Sequence, residues 1–256
     1  MTVDDWRQKF HLPSNYCIDG FLNFGSFYSQ KQEKIFFQAI KKFKIPKKST
    51  RRLERFLDSI IEFKFDHKTY WYNVAYGGTR LSENVHLACL FGSQKNILLG
   101  SCGNLHPDIK PDELIIPDVI WGNESTTRIY QEKNPRCALA HQHRASQELI
   151  EKFTQKLTRY KINNGSTTTC QAMLGESMTD IQSWQKTGYF GVEMEGSTVL
   201  AVSNHFEVPA VVVLQICEDL ANFEKVEDTT HMARQQYRQQ TREELYRVAL
   251  EILLEK

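Results

Sequence analysis

Residues 187–219, TGYFGVEMEGSTVLAVSNHFEVPAVVVLQICED, decide the fold. They read as a turn at Gly188, a short helix start with Glu193 and Glu195 on either side of Met194, an apolar helix, a Val208-Pro209 break, and an apolar run over 210–217. That run is too short to span a bilayer and too continuous for a strand with one wet face. It is expected to be a strand of a sheet covered on both faces. It ends in two acids, Glu218 and Asp219. Open α/β sheets place ligand chemistry beyond the carboxyl ends of their strands, so this acid pair marks a candidate site. Acids in a helix's first turn also complement its dipole, and taken alone Glu193 and Glu195 fit that role equally well.

Composition narrows the rest. A chain of 256 residues is long enough for one sizeable α/β core, and 25% charged residues with a net charge of +1 give no electrostatic reason to expect nucleic acid. A small-molecule ligand is the better expectation. The six cysteines, Cys17, Cys89, Cys102, Cys137, Cys170 and Cys217, have no CxxC spacing and read as reduced thiols of a cytoplasmic protein. No stretch reads as a signal peptide or approaches the roughly 20 apolar residues of a membrane span. No cofactor and no metal site is expected: His141 and His143 suit a strand-borne metal pair, but a third ligand is missing and solvated loop histidines are the simpler reading.

Residues 1–66 are the least informative. Aromatics crowd between Tyr16 and Phe37, and KKFKIPKKSTRRLER over 41–55 reads as a solvated helix face interrupted at Pro46 rather than a polyanion site. Helical spacing predicts a helix over 53–63. The pattern then alternates: a strand over 69–76, a break at Gly77-Gly78, a helix capped by Ser82 with its apolar face over 85–91, and a strand over 95–99 closed by a Gly100-Ser101-Cys102-Gly103 loop. Residues 104–145 read as strand and loop, 146–160 as an amphipathic helix, 166–170 as a strand, and the segment beyond Thr241 as a helix packed on the sheet. The expected fold class is α/β, a three-layer α/β/α arrangement with a central mixed sheet, formed as a single domain over residues 1–256.

GVEMEG before an apolar helix and an acid-ended strand, with ILLGSCGNL upstream, resembles the nucleoside phosphorylase superfamily. That family includes purine nucleoside phosphorylases, uridine phosphorylases, and methylthioadenosine and AMP nucleosidases. The resemblance covers about residues 70–219 and implies cleavage of a nucleoside's N-glycosidic bond. It assigns the ribose to Met194 and Glu195, with Glu193 beside them; a carboxylate suits two adjacent hydroxyls because it accepts both in a fixed geometry. It assigns phosphate or another anion to Ser101, with Gly77 and Arg80 near the mouth, and the base to Cys102, Gly103, Cys170, Gln171 and Met173. The proton for the departing base falls to Asp219 or its neighbour Glu218; a gapless alignment favours Glu218, the family's habitual residue type Asp219. It implies a homo-oligomer, a dimer or hexamer, acting on a small-molecule nucleoside without nucleic-acid or membrane partners.

The departures from the family pattern matter as much. Thr79, Leu81 and Cys89 stand where the first glycine loop and its helix carry other residues, and Arg80 and His86 read equally well as surface groups. No Gly-Asp-Pro-x-Arg occurs near the N-terminus, and Leu98 occupies the strand position of a phosphate-binding arginine. Burying a phosphate dianion without such cations is costly. Phosphate and water therefore both remain open as the attacking group, purine and pyrimidine as the base, and a non-catalytic nucleoside-binding relative as an alternative.

Overall fold

A computed structural model describes residues 2–53, 59–111, 113–122, 126, 141–222 and 228–255. Among them twelve strands form one mixed sheet. Its centre is parallel: β1 (Gly20–Gly25) lies between β4 (Lys68–Ala75) and β5 (Asn96–Asn104), and β5 pairs with β12 (Ala210–Asp219). On one side β2 (Thr50–Leu53) and β3 (Ile60–Phe65) extend β4 in antiparallel fashion. On the other, β11 (Gly191–Glu193) pairs antiparallel to the end of β5, and β10 (Thr167–Thr169), β7 (Val119–Gly122) and β8 (His141–Arg144) follow. The short β6 (Leu114–Ile115) and β9 (Ile162–Asn163) branch from β12.

The apolar run of β12 is buried on both faces because each face of the sheet carries its own core. Val211 and Val213 pack toward one core with α2 (Ser29–Lys42), α4 (Gln147–Lys156) and α7 (Asp228–Leu254). Val212, Leu214 and Ile216 pack toward the other with α3 (Gly78–Leu90) and α6 (Gly196–His205). Alternation has period two along a strand, so consecutive residues feed opposite layers. Each such side chain contributes about 1.5–3 kcal/mol on full burial, which makes this strand and β5 the main hydrophobic junction of the three layers.

Several local expectations change. Residues 60–65 form a strand, not part of a helix: Ile61 and Phe63 join one core and Ile60 the other, so cross-strand pairing with β4 outweighs the helical spacing, and residues 54–58 lie outside the described set. Arg51 of the basic run reaches back across this hairpin in a two-pronged contact to buried Glu62, at 2.7 and 2.9 Å, while Tyr16 donates to the same carboxylate at 2.5 Å. α3 starts at Gly78 rather than at Ser82, whose hydroxyl bonds the Thr79 carbonyl from inside the helix. Gly100 to Gly103 stay within β5, because β12 continues alongside them through a bulge between Ile216 and Glu218. His143 is a buried strand residue rather than a solvated one; the side chain of His141, and residues 123–125 and 127–140 with Cys137, lie outside the described set. The described cysteines are free thiols. The helices expected over 146–160 and beyond Thr241 are present as α4, capped by Ser146, and α7.

At the centre of one core, the hydroxyls of Tyr72 and Tyr246 meet at 2.6 Å, with Phe36 stacked on Tyr72 and Phe24 on Tyr246. Tyr246→Phe would leave the Tyr72 hydroxyl buried without its partner and is expected to destabilise the fold by about 1–3 kcal/mol. The double variant Tyr72→Phe/Tyr246→Phe should recover part of that loss, since both polar groups are then gone. Guanidinium denaturation of the single and double variants checks the coupling.

Candidate active site

The carboxyl ends of β1, β5, β11 and β12 open on a cavity of about 180 Å³. Met194 and Glu195 connect β11 to α6 and form one wall. Glu193, the last residue of β11, is nearly fully buried and is fastened by three donors: the backbone N–H groups of Glu195 at 2.7 Å and Gly196 at 2.5 Å, and the Thr169 hydroxyl. It therefore caps the N-terminus of α6, where unpaired N–H groups and the helix dipole both favour an acid. The capping is done from the strand and not, as the sequence suggested, from within the helix.

Glu195 is the carboxyl left to face the cavity. One oxygen accepts the N–H of Gly77 at 2.7 Å, and Gly77 itself has a φ of +82°, a conformation glycine adopts without strain. The other oxygen lies against β1 at Gly25, where any Cβ would sit 2.6 Å from it. A side chain at 25 would displace the Glu195 carboxyl from its place against the strand. Burial raises the Glu195 carboxyl to about 8, and the negative charge of Glu193 adds to the effect.

The remaining expected site residues divide. Ser101, Cys102, Gly103, Met173 and Glu218 line the same cavity as Met194 and Glu195. Asp219 does not: its carboxylate is held by the side-chain amides of Asn104 at 3.2 Å and Asn222 at 3.0 Å. The bulge in β12 turns Glu218 toward the cavity, as bulges beside binding sites commonly re-aim a side chain. Gln171 spends both ends of its amide on backbone, accepting from Gly78 at 3.2 Å and donating to the Met194 carbonyl at 3.2 Å, so it ties the Gly77 turn to the Met194 wall. Cys170 stands behind that wall, its thiol pushed up by burial, and its N–H bonds the Glu193 carbonyl at 2.8 Å. Arg80 is exposed on α3, away from the cavity lining, and His86 packs edge-on against Phe206.

Other lining groups were not singled out in the sequence. Ser26, Phe27 and Tyr28 follow β1, and Phe27 stacks on Tyr76 at the mouth. Glu176 follows a single helical turn at Met173–Gly175; burial pushes its carboxyl up, with the charge of Glu218 acting in the same direction. Arg242 enters from α7. Glu176 had one legible cue, its place after Gly175 and immediately before the capping residue Ser177, whereas Arg242 is indistinguishable in sequence from the surface cations around it.

The phosphorylase superfamily model matches residues 77–254. The chain belongs to that superfamily. Among curated members it is 25% identical over 164 residues to a DeoD-type purine nucleoside phosphorylase of Caldanaerobacter subterraneus subsp. tengcongensis, covering 63% of this chain and 66% of that one. The match thus spans just under two thirds of that relative's length. A DeoD-type enzyme of Clostridium novyi is 23% identical over 187 residues, covering 67% of this chain and 78% of the relative. The fold is also that of a Vibrio fischeri uridine phosphorylase, with a TM-score of 0.76 at 18% identity over 98% of this chain and 97% of that one. The superfamily match begins at Gly77 and leaves out the segment that supplies Gly25, Ser26, Phe27, Tyr28 and Tyr76 to the cavity.

The raised Glu195 carboxyl has a pH consequence. The folded protein keeps the Glu195 proton up to about pH 8, whereas the unfolded chain releases it near 4.5. The native state then binds more protons across that window, so this group's contribution to stability falls as pH rises through it, by on the order of a few kcal/mol in total. Glu195→Gln is expected to flatten the fall in melting temperature between pH 6 and pH 8 and to raise stability at the upper end. A melting series in both proteins, with an unchanged slope in the variant as the contrary result, checks this.

Proposed function

We propose that this protein cleaves the N-glycosidic bond of a nucleoside and releases the free base. The observation that carries this reading is the buried Glu195 carboxyl beside Met194, aimed into a cavity at the strand ends of a phosphorylase-superfamily fold. In this reading Glu195 and Met194 hold the ribose. The carboxyl's low exposure strengthens its hydrogen bonds to the sugar hydroxyls, and its close approach to Gly25 and Gly77 fixes its position before substrate arrives.

The bond to the base breaks as the sugar gains oxocarbenium character, and the base leaves as it takes up a proton. Of the two acids at the end of β12, Glu218 is the one assigned this role, because it lines the cavity while Asp219 is occupied by Asn104 and Asn222. Glu176 lines the same cavity with its carboxyl pushed up by burial, and it stands on the same lining as Glu218, where it can share in the proton's path to the base. Phe27, Tyr28 and Met173 supply flat or flexible apolar contacts for a ring, and their substantial exposure supports a homo-oligomer in which a second copy covers the mouth. We take residues 1–256 as one cytoplasmic unit acting without a cofactor. The missing arginine motifs favour, as a second reading, a relative that binds nucleosides without turning them over.

Release of free base from a panel of purine and pyrimidine nucleosides distinguishes the two. Glu195→Gln is expected to lower base release by at least about 100-fold with the fold intact, and Glu218→Gln by about 100-fold, the usual scale of a positioned proton donor. Asp219→Asn should cost much less. Undiminished turnover in Glu195→Gln would remove the ribose assignment, and nucleoside binding without any base release would establish the second reading.

A further inference from the structure

A second cavity, of about 470 Å³, opens at the other end of the sheet from the candidate active site. Thr69, near the start of β4, lines it, whereas Tyr76, just beyond the end of β4, lines the candidate active site, so the two lie roughly 20 Å apart along the strand. The described lining comes wholly from residues 13–69, ahead of the segment that the superfamily model matches. Three of these lining groups are cations, Lys48, Arg51 and Lys64, and one is a carboxylate, Glu62. The cations arrive from separate pieces of chain: Lys48 from a single helical turn at Lys47–Ser49, Arg51 from β2 and Lys64 from β3. Part of the basic run expected to be a solvated helix face is therefore folded around a concavity.

The one carboxylate is already spent. Glu62 is buried and accepts Arg51 through Nε and Nη2, and it accepts the Tyr16 hydroxyl, which in turn accepts the Trp71 indole N–H at 2.7 Å. This chain of bonds fixes the Arg51 guanidinium, and Nη1 takes no part in the contact. Lys48 and Lys64 are exposed, and neither ammonium has an acceptor among the described residues. With Glu62 neutralised by Arg51, two positive charges around the cavity are left uncompensated. A phosphate monoester matches that arrangement, since it carries nearly two negative charges at neutral pH and three acceptor oxygens, and lysine ammoniums serve as point charges for such a group. The volume falls within the range of about 300–1,000 Å³ usual for small-molecule sites, which leaves room for an organic part beside the phosphate. We propose that this cavity is a second binding site, for a small organic phosphate, with Lys48 and Lys64 holding the phosphate oxygens, Arg51 adding Nη1, and Asn15 and Ser49 on the lining to meet the rest of the ligand.

Calorimetric titration of the whole protein with fructose 1,6-bisphosphate and with inorganic pyrophosphate, at about 0.15 M salt where exposed charges are screened, tests this. The wild type is expected to bind at least one probe with a Kd below about 1 mM. Lys48→Ala/Lys64→Ala should weaken that binding by at least about tenfold, the scale of lost charge-assisted contacts, while its melting temperature without probe stays at the wild-type value. Lys48→Arg/Lys64→Arg should keep most of the affinity. Arg51 is left unchanged in these variants because it also holds Glu62. Glu195→Gln, at the far end of the sheet, should bind the probe as the wild type does, which separates this site from the candidate active site and its test from the glycosidic reading. Absence of binding by both probes would overturn the proposal, as would an unchanged affinity in Lys48→Ala/Lys64→Ala or a loss of affinity in Glu195→Gln. A short single-stranded oligonucleotide bound more tightly than either probe, with affinity falling steeply as salt rises, would mark a polyanion surface and would equally overturn it.

Discussion

The fastening of Glu193 at the start of α6 is the constraint on which the site depends. A carboxylate buried at a strand end is tolerable only when donors surround it, and here two backbone N–H groups and the Thr169 hydroxyl do so. With Glu193 fastened there, Glu195 faces the cavity with its own oxygens against Gly77 and Gly25. Two acids one residue apart thus acquire different tasks through their partners. One holds the helix and the other faces the cavity.

The sheet sets the stage for that division. β5 and β12 run side by side with apolar residues feeding both layers, so their ends are placed by the core rather than by loops. Beyond the bulge in their pairing Glu218, itself exposed, lines the cavity, and Asp219 is held by Asn104 and Asn222. Sites carried on rigid strand ends hold their groups more closely than sites on free loops.

Much of this architecture was legible in the sequence. The apolar run over 210–217, with Gln215 its one polar residue, implied a strand covered on both faces, and GVEMEG with ILLGSCGNL carried the family, while Met194, Glu195 and Ser101 are found lining the cavity. What escaped did so for physical reasons. The helical spacing over 53–63 was real, but pairing of residues 60–65 with β4 decided the conformation, a tertiary effect that no local pattern contains. Gln171 was read as a base contact because an amide offers both donor and acceptor, and the same property lets it tie two backbone segments instead. Arg242 could not be found from sequence because its distinction, a buried Nε with no hydrogen-bond partner among the described residues, arises only where α7 packs beside Cys217 of β12.

The most direct measurement is a crystal structure of the protein with a non-hydrolysable nucleoside analogue bound. The ribose is expected between Met194 and Glu195, with both hydroxyls within hydrogen-bonding distance of the Glu195 carboxyl and the base on the side of Glu218 and Glu176. A nucleoside bound elsewhere, or seated here with its sugar turned away from Glu195, would contradict this placement.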